Sequence, residues 1–219
     1  MMRLIKFVSA VDLEEKSVDH VDAESVFGAK ITSNDEQKAF TYVQRKNFLL
    51  RYISPKKVAL EVNQPKNTIS AKTICENFYK KAFDRVGWET INRFGVKLIW
   101  IWPVEKTMSE MVSAVRKAFY KDNSITNKST DVAVDFSFND GDRKAHYILG
   151  PMEKKQLAEM FLPPTPFDSR LLPDRFFFLL HDYYQENDQL KYTKDLMSSF
   201  LDEAVDVSQK LAEESFSLI

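Results

Sequence analysis

The chain of 219 residues carries 31 Lys and Arg against 32 Asp and Glu, a formal charge of −1, and 44% of it is hydrophobic. This balance excludes a whole-molecule electrostatic pull toward nucleic acid or anionic lipid and leaves only a local patch for such a role. A single cysteine, Cys75, excludes an internal disulfide and the cysteine pairs of a structural zinc site, so stability has to come from a sizeable core, which this length permits.

In chain order, "RLIKFVS" (3–9) and "VFGAKI" (26–31) read as strands, with the acidic stretch 12–24 as a loop or surface turn between them. The first apolar run soon meets acidic residues and lacks the apolar region and cleavage site of a secretory signal. No run approaches the roughly 18 apolar residues of a membrane span. A cytoplasmic protein with no membrane role is therefore expected. Residues 40–53, "FTYVQRKNFLLRYI", predict one or two strands. "KKVALEV" (56–62) turns Val58, Leu60 and Val62 to one face, the pattern of a half-buried strand.

A helix follows, with Ala71, Ile74, Cys75, Phe78, Tyr79, Ala82, Phe83 and Val86 on one stripe and Gly87 as its stop. "RFGVKLIWIWP" (93–103) is a strand with apolar residues on both faces: Leu98, Trp100 and Trp102 on one, Ile99 and Ile101 on the other. Such a run fits a central strand covered on both sides, or a strand with one face kept for a partner. "TMSE" reads as a capping box from Thr107 to Glu110, opening a helix with the stripe Met108, Met111, Val112, Val115, Ala118 and Phe119. The two strand–helix segments end alike, in "KKAF" and "RKAF", which suggests a tandem pair. If their strands run parallel in one sheet, the crossover should be right-handed.

"DVAVDFSF" (131–138) alternates, which predicts Val132, Val134, Phe136 and Phe138 inward and Asp131, Asp135 and Ser137 outward. "NDGD" signals a hairpin turn, and "RKAHYIL" is its return strand. Residues 151–174 hold a short helical segment, "MEKKQLAEMF", and then "LPPTPFDSRLLP", whose four prolines mark a connector. "DRFFFLLHDYYQ" (174–185) is a further strand. A long helix from about 190 to 216 carries the stripe Leu196, Met197, Phe200, Leu201, Ala204, Ser208, Leu211 and Ala212, opposite an acidic face of Asp202, Glu203, Asp206, Glu213 and Glu214. The expected fold is α+β: a mostly antiparallel, twisted sheet with helices packed on one side and a long C-terminal helix. Residues 1–150 form the main sheet domain, 151–174 the proline-rich connector, and 175–219 a strand and helix that pack on the same domain.

Recognisable chemistry is sparse. His20, His146 and His181 are far apart and form no H-x-x-x-H or H-E-x-x-H pair. "HDYYQE" is the best local cluster, with His181, Asp182 and Glu186 as candidates for a metal ligand set or a general base, against the plainer reading of a turn held by backbone hydrogen bonds. Asp131 and Asp135 would lie about 13 Å apart along one strand face, too far to act as one acid–base pair. Cys75 lies on an apolar stripe, where a thiol has a raised pKa and little reactivity. There is no G-x-S-x-G elbow, Walker loop or G-x-G-x-x-G. With only 5 Gly but 17 Phe, the chain is poor in phosphate-cradling loops and rich in bulky apolar groups, for its core or for partners.

Two candidate binding surfaces remain. Arg45, Lys46, Phe48, Arg51 and Tyr52 combine charge and aromatic rings in the way single-stranded nucleic acid requires, or they make an ordinary solvated face. Trp100, Trp102, Phe216 and Leu218 are candidates for a protein partner, with the long terminal helix as the docking element.

The segments "ETINRFGVKLIWIWP" (89–103) and "FFFLLHDYYQE" with the helix after it resemble a sporadically distributed family of uncharacterised bacterial α+β proteins of similar length. That family usually carries Arg-Tyr-Ile-Asn where this chain has Trp100-Ile101-Trp102-Pro103. The resemblance covers about half the chain and implies no established activity. The expectation is a non-enzymatic protein-binding or assembly subunit of a bacterial or phage cytoplasmic complex, a defence-type system being one such setting. It would have no cofactor and no metal, and would bind a protein partner or a second copy. The alternatives are a metal-dependent hydrolase or nuclease with dispersed carboxylates, and a single-strand nucleic-acid binder.

Overall fold

β1 (Arg3–Leu13) is the hub of the computed structural model, which describes residues 1–29, 39–121, 128–161 and 165–219. It pairs antiparallel with β4 (Lys57–Asn63) on one side and β5 (Thr90–Pro103) on the other. Outward from β4 come β3 (Leu49–Ser54) and β2 (Phe40–Gln44), joined through a 3-10 turn at Arg45–Asn47. Outward from β5 come β8 (Arg175–Lys191), β7 (Arg143–Glu153) and β6 (Val134–Asp140). The described strands form one sheet in the order β2-β3-β4-β1-β5-β8-β7-β6. Every adjacent pair is antiparallel, as the α+β expectation requires. β8 comes after the connector in sequence but lies between β5 and β7, so the last segment belongs to the same sheet.

Local chemistry sets the helix ends. α1 (His20–Phe27) starts where the Asp19 carboxylate accepts from the Asp22 amide at 2.7 Å. α2 (Thr68–Val86) opens on a reciprocal box between Asn67 and Ser70, and ends at Gly87, whose φ of +73° suits a residue without Cβ. α3 (Met108–Phe119) has the predicted box: the Thr107 amide donates to the Glu110 carboxylate at 2.7 Å, and the Glu110 amide to Thr107 Oγ1 at 3.3 Å. In α5 (Lys194–Ser217), Thr193 Oγ1 accepts from the Leu196 amide.

Three expectations need correction. The stretch 26–31 is not a strand: Val26 and Phe27 close α1, where Ala23, Val26 and Phe27 are buried at helical spacing, and Gly28 stops the helix at φ +68°. Residues 30 and 31 lie outside the described residues. The terminal helix starts at Lys194, not near 190, because β8 keeps pairing with β5 as far as Thr90 opposite Lys191. The strands of the two similar strand–helix segments, β4 and β5, do lie in one sheet and run parallel, since both are antiparallel to β1 between them. Finally, Phe136 and Phe138 do not turn into the core: β6 is the outermost strand, and they remain 44% and 39% exposed, while Val134 is buried.

The main core lies between one sheet face and α1, α2, α3 and α5. Phe7, Leu60, Phe94, Val96 and Leu98 of the sheet meet Phe78, Tyr79, Met111, Phe200 and Leu201 of the helices. Two buried polar contacts fix this layer: Ser9 Oγ with the Tyr79 hydroxyl at 2.9 Å, and Trp100 Nε1 donating to Ser208 Oγ at 2.8 Å. A smaller core covers one end of the opposite face. Ile5, Ile99, Ile101, Phe176 and Phe178 lie under Leu157 of α4 (Lys154–Glu159), with Phe161 and Leu172 of the connector. This second layer explains the apolar run of β5, since its C-terminal half is buried on both faces.

Candidate partner-binding surface

The opposite face is not covered throughout. Directly paired residues of an antiparallel ladder point to the same side, so the register reads out what the uncovered part presents. One cross-strand row runs Tyr52–Ala59–Ala10–Gly95–Tyr184. The row on one side of it holds Lys57, Asp12, Arg93 and Glu186. The row on the other side holds Glu61, Val8, Lys97 and Asp182. Ala59, Ala10 and Gly95 thus form the floor of a trough across β4, β1 and β5, with charged rims on both sides and a tyrosine at each end. The depression is about 320 Å³ and is lined by the floor residues and by every rim residue but Glu186.

Small residues are poor strand formers, and a glycine within a strand marks close approach to the backbone. A Cβ at Gly95 would stand 3.3 Å from the Tyr184 Cβ, so the neighbouring tyrosine is part of what keeps this position small. Tyr184 in turn lies under the Arg93 guanidinium, 4.4 Å from ring centre to Cζ.

The rims are paired internally. Lys97 Nζ lies 3.3 Å from Asp182, Lys57 3.6 Å and Arg93 4.0 Å from Asp12, and Arg93 3.7 Å from Glu186. Lys144 approaches Glu186 at 2.6 Å; that hydrogen bond lowers the Glu186 pKa and raises that of Lys144. Lys6 bridges Glu61 at 3.1 Å and sits 4.7 Å over the Phe161 ring, where the trough meets the covered end of the face. The two rim rows hold Lys57, Arg93 and Lys97 against Asp12, Glu61, Asp182 and Glu186, and the flanking Lys6 and Lys144 bring the count to five cations and four acids. A surface of this kind offers both charge signs in alternation and little basic surplus for a phosphate backbone.

The candidates from sequence are scattered by the sheet geometry. His181 and Asp182 are adjacent on β8 and therefore point to opposite faces. His181 pairs in register with Leu98 and Tyr147 on the helix face and is fully buried, while Asp182 and Glu186 stand on the open face against lysine and arginine. The three do not converge on a metal. Among the described residues no group of three His, Cys, Asp or Glu is placed to hold one. Burial pushes the His181 pKa down to about 4, and neither ring nitrogen finds a hydrogen-bond partner among the described residues. His146 instead meets Asp135 at 2.6 Å on the exposed side.

The proposed nucleic-acid set is also divided. Arg45 and Lys46 are exposed at the β2–β3 turn, and Phe48 is half-buried behind it in a left-handed conformation. Arg51 turns to the helix face and donates to the Phe27 carbonyl at 3.1 Å, while Tyr52 lies on the open face. Of the partner candidates, Trp100 and Phe216 are buried within the chain and Trp102 packs on Phe216 and Phe177; Leu218 alone is well exposed, at 62%. Cys75 is buried, and its thiol is pushed up to about 12 by burial.

The trough residues Ala10, Ala59, Gly95 and Tyr184 were not singled out from sequence. Their signal was present: Val58, Leu60 and Val62 facing inward leaves Ala59 and Glu61 facing out. What was missing was the register that lines Ala59 up with Ala10 and Gly95.

No family model and no curated protein matches the chain. Among solved structures, the Methanococcus jannaschii TBP is similar at 10% identity and a TM-score of 0.32, over 94% of this chain and 98% of that one. A likeness of that degree carries no argument. No described helix is long and apolar enough to cross a membrane.

Proposed function

We propose that the protein is a non-enzymatic binding or assembly subunit, and that its uncovered sheet face receives a segment of a partner protein across the trough. One observation carries this reading: a floor of Ala59, Ala10 and Gly95, with no side chain beyond Cβ, between two rims of paired opposite charges. Such a floor lets a partner's apolar side chain come close to the sheet, while the rims offer both charge signs for its flanking polar groups. Rims of nearly equal opposite charge favour a protein segment over nucleic acid. The subunit would act within a bacterial or phage complex, the setting expected from the sequence.

A photo-cross-linking residue in place of Tyr52 or Tyr184, at the two ends of the trough, tests this in the source cells. A partner captured from both positions, then purified and bound by the wild type but at least tenfold more weakly by Ala10→Arg, is the expected result. Binding that Ala10→Arg leaves unchanged would overturn the assignment of the trough.

A further inference from the structure

β6 ends the sheet, and among the described residues no strand pairs with its outer side. Its sequence, Val-Asp-Phe-Ser-Phe-Asn-Asp, has few of the usual edge protections: its mid-strand charge, Asp135, is taken up by His146 at 2.6 Å. It contains no lysine and no proline, and its ladder with β7 runs from Val134 to Asp140 without a bulge. On the helix face it carries Phe136 and Phe138, 44% and 39% exposed, grouped around Tyr147 at ring-centre distances of 5.0 and 6.4 Å. An open backbone edge and a row of aromatic groups beside it are therefore presented together.

We infer that the occupant of this edge is a second copy of the same chain, joined β6 to β6 in antiparallel fashion about a two-fold axis perpendicular to the sheet. Such an axis keeps the helix faces of both copies on one side, so a strand residue can meet only a residue of its own face. The strand is self-complementary in one register. With Phe136 on the axis, Phe136 meets Phe136, Val134 meets Phe138, and Asp135 meets Ser137 of the second copy. The helix face of the joint is then wholly apolar, and no carboxylate opposes another across it. Moving the axis to Asp135 sets two carboxylates against each other, and moving it to Ser137 or Phe138 leaves Val134 without an apolar partner across the joint.

The opposite edge strand, β2, lacks this combination, since Phe40 is buried and Tyr42 is taken up by stacking on Phe27. The joined sheet would carry both troughs on one face. The β6 edge is separate from the trough, so either proposal can fail without the other.

Sedimentation equilibrium and engineered cysteines test the pairing. The wild-type chain should approach twice its mass of 25.5 kDa as concentration rises. Phe136→Lys, which puts two cations at the axis, should remain monomeric with an unchanged circular dichroism spectrum, and Asn139→Lys, outside the paired segment, should still dimerise. Under mild oxidation Phe136→Cys should cross-link across the axis, and the double variant Asp135→Cys/Ser137→Cys should do so on the other face, because directly opposed residues lie within disulfide reach. Asn139→Cys should not. A wild type that stays monomeric at all concentrations, a dimer unaffected by Phe136→Lys, or Asn139→Cys cross-linking as readily as Phe136→Cys would each overturn the inference.

Discussion

Trp100 Nε1 donates to Ser208 Oγ at 2.8 Å, a buried bond that ties the middle strand β5 to the terminal helix α5. Both groups are out of reach of water, so each depends on the other. Trp100→Phe should cost about 1–3 kcal/mol in urea unfolding, because it leaves the Ser208 hydroxyl buried and unpaired. Ser208→Ala should cost a similar amount by stranding the indole N–H. The double variant should lose less than the sum of the two, and strict additivity would show the bond to be inert.

His181 makes stability depend on pH. Its folded pKa of about 4 lies below the ordinary 6.5 because burial penalises the imidazolium, with Asp182 opposing the shift. Between these values the unfolded chain binds more protons than the folded one. The contribution is whole above about pH 6.5 and is lost as pH falls toward 4, to a limit of about 3 kcal/mol. His181→Leu should therefore flatten the acid side of the stability profile between pH 6.5 and 4.5, measured by thermal melts. Parallel profiles for the two proteins would remove His181 as the source.

Cys75 should resist thiol reagents in the native state. Its sulfur is buried in the α2–sheet interface and its pKa lies near 12, so the thiolate that reacts is scarce and shielded. The rate of modification should rise in parallel with unfolding in urea. Fast labelling without denaturant would show that α2 opens locally.

Chelation should leave the protein unchanged. Asp182 and Glu186 are held by cations of the chain itself, and His181 lies on the other side of the sheet. The thermal midpoint should be the same with and without EDTA, and Asp182→Ala should not change the response to added divalent ions. A midpoint raised several degrees by one metal, and lost in Asp182→Ala, would contradict this geometry.

Several elements were legible in the sequence because their signals are local. The Thr107–Glu110 box and the Gly87 stop each involve groups within one helical turn, so residue spacing alone predicted α3 and the end of α2. The double-sided apolar run of β5 fitted either a strand covered on both faces or one with a face kept for a partner, and its C-terminal half is covered on both. The stretch 26–31 failed because two apolar residues followed by glycine fit a strand and a helix end equally well, and the Asp19 cap that decides between them lies outside it.

The surfaces could not be read in this way. Sequence neighbours in a strand point to opposite faces, so "HDYYQE" and "QRKNFLLRY" looked like clusters and proved to be divided between core and solvent. Residues far apart in the chain, Ala59, Ala10 and Gly95, share a floor because strand register places them side by side. Sequence by itself determined most of the helices and strands, α1 excepted, through periodicity and capping. Tertiary structure alone decided strand order, which face stays uncovered and which strand ends the sheet, because those depend on pairings whose free energy arises only when distant segments meet.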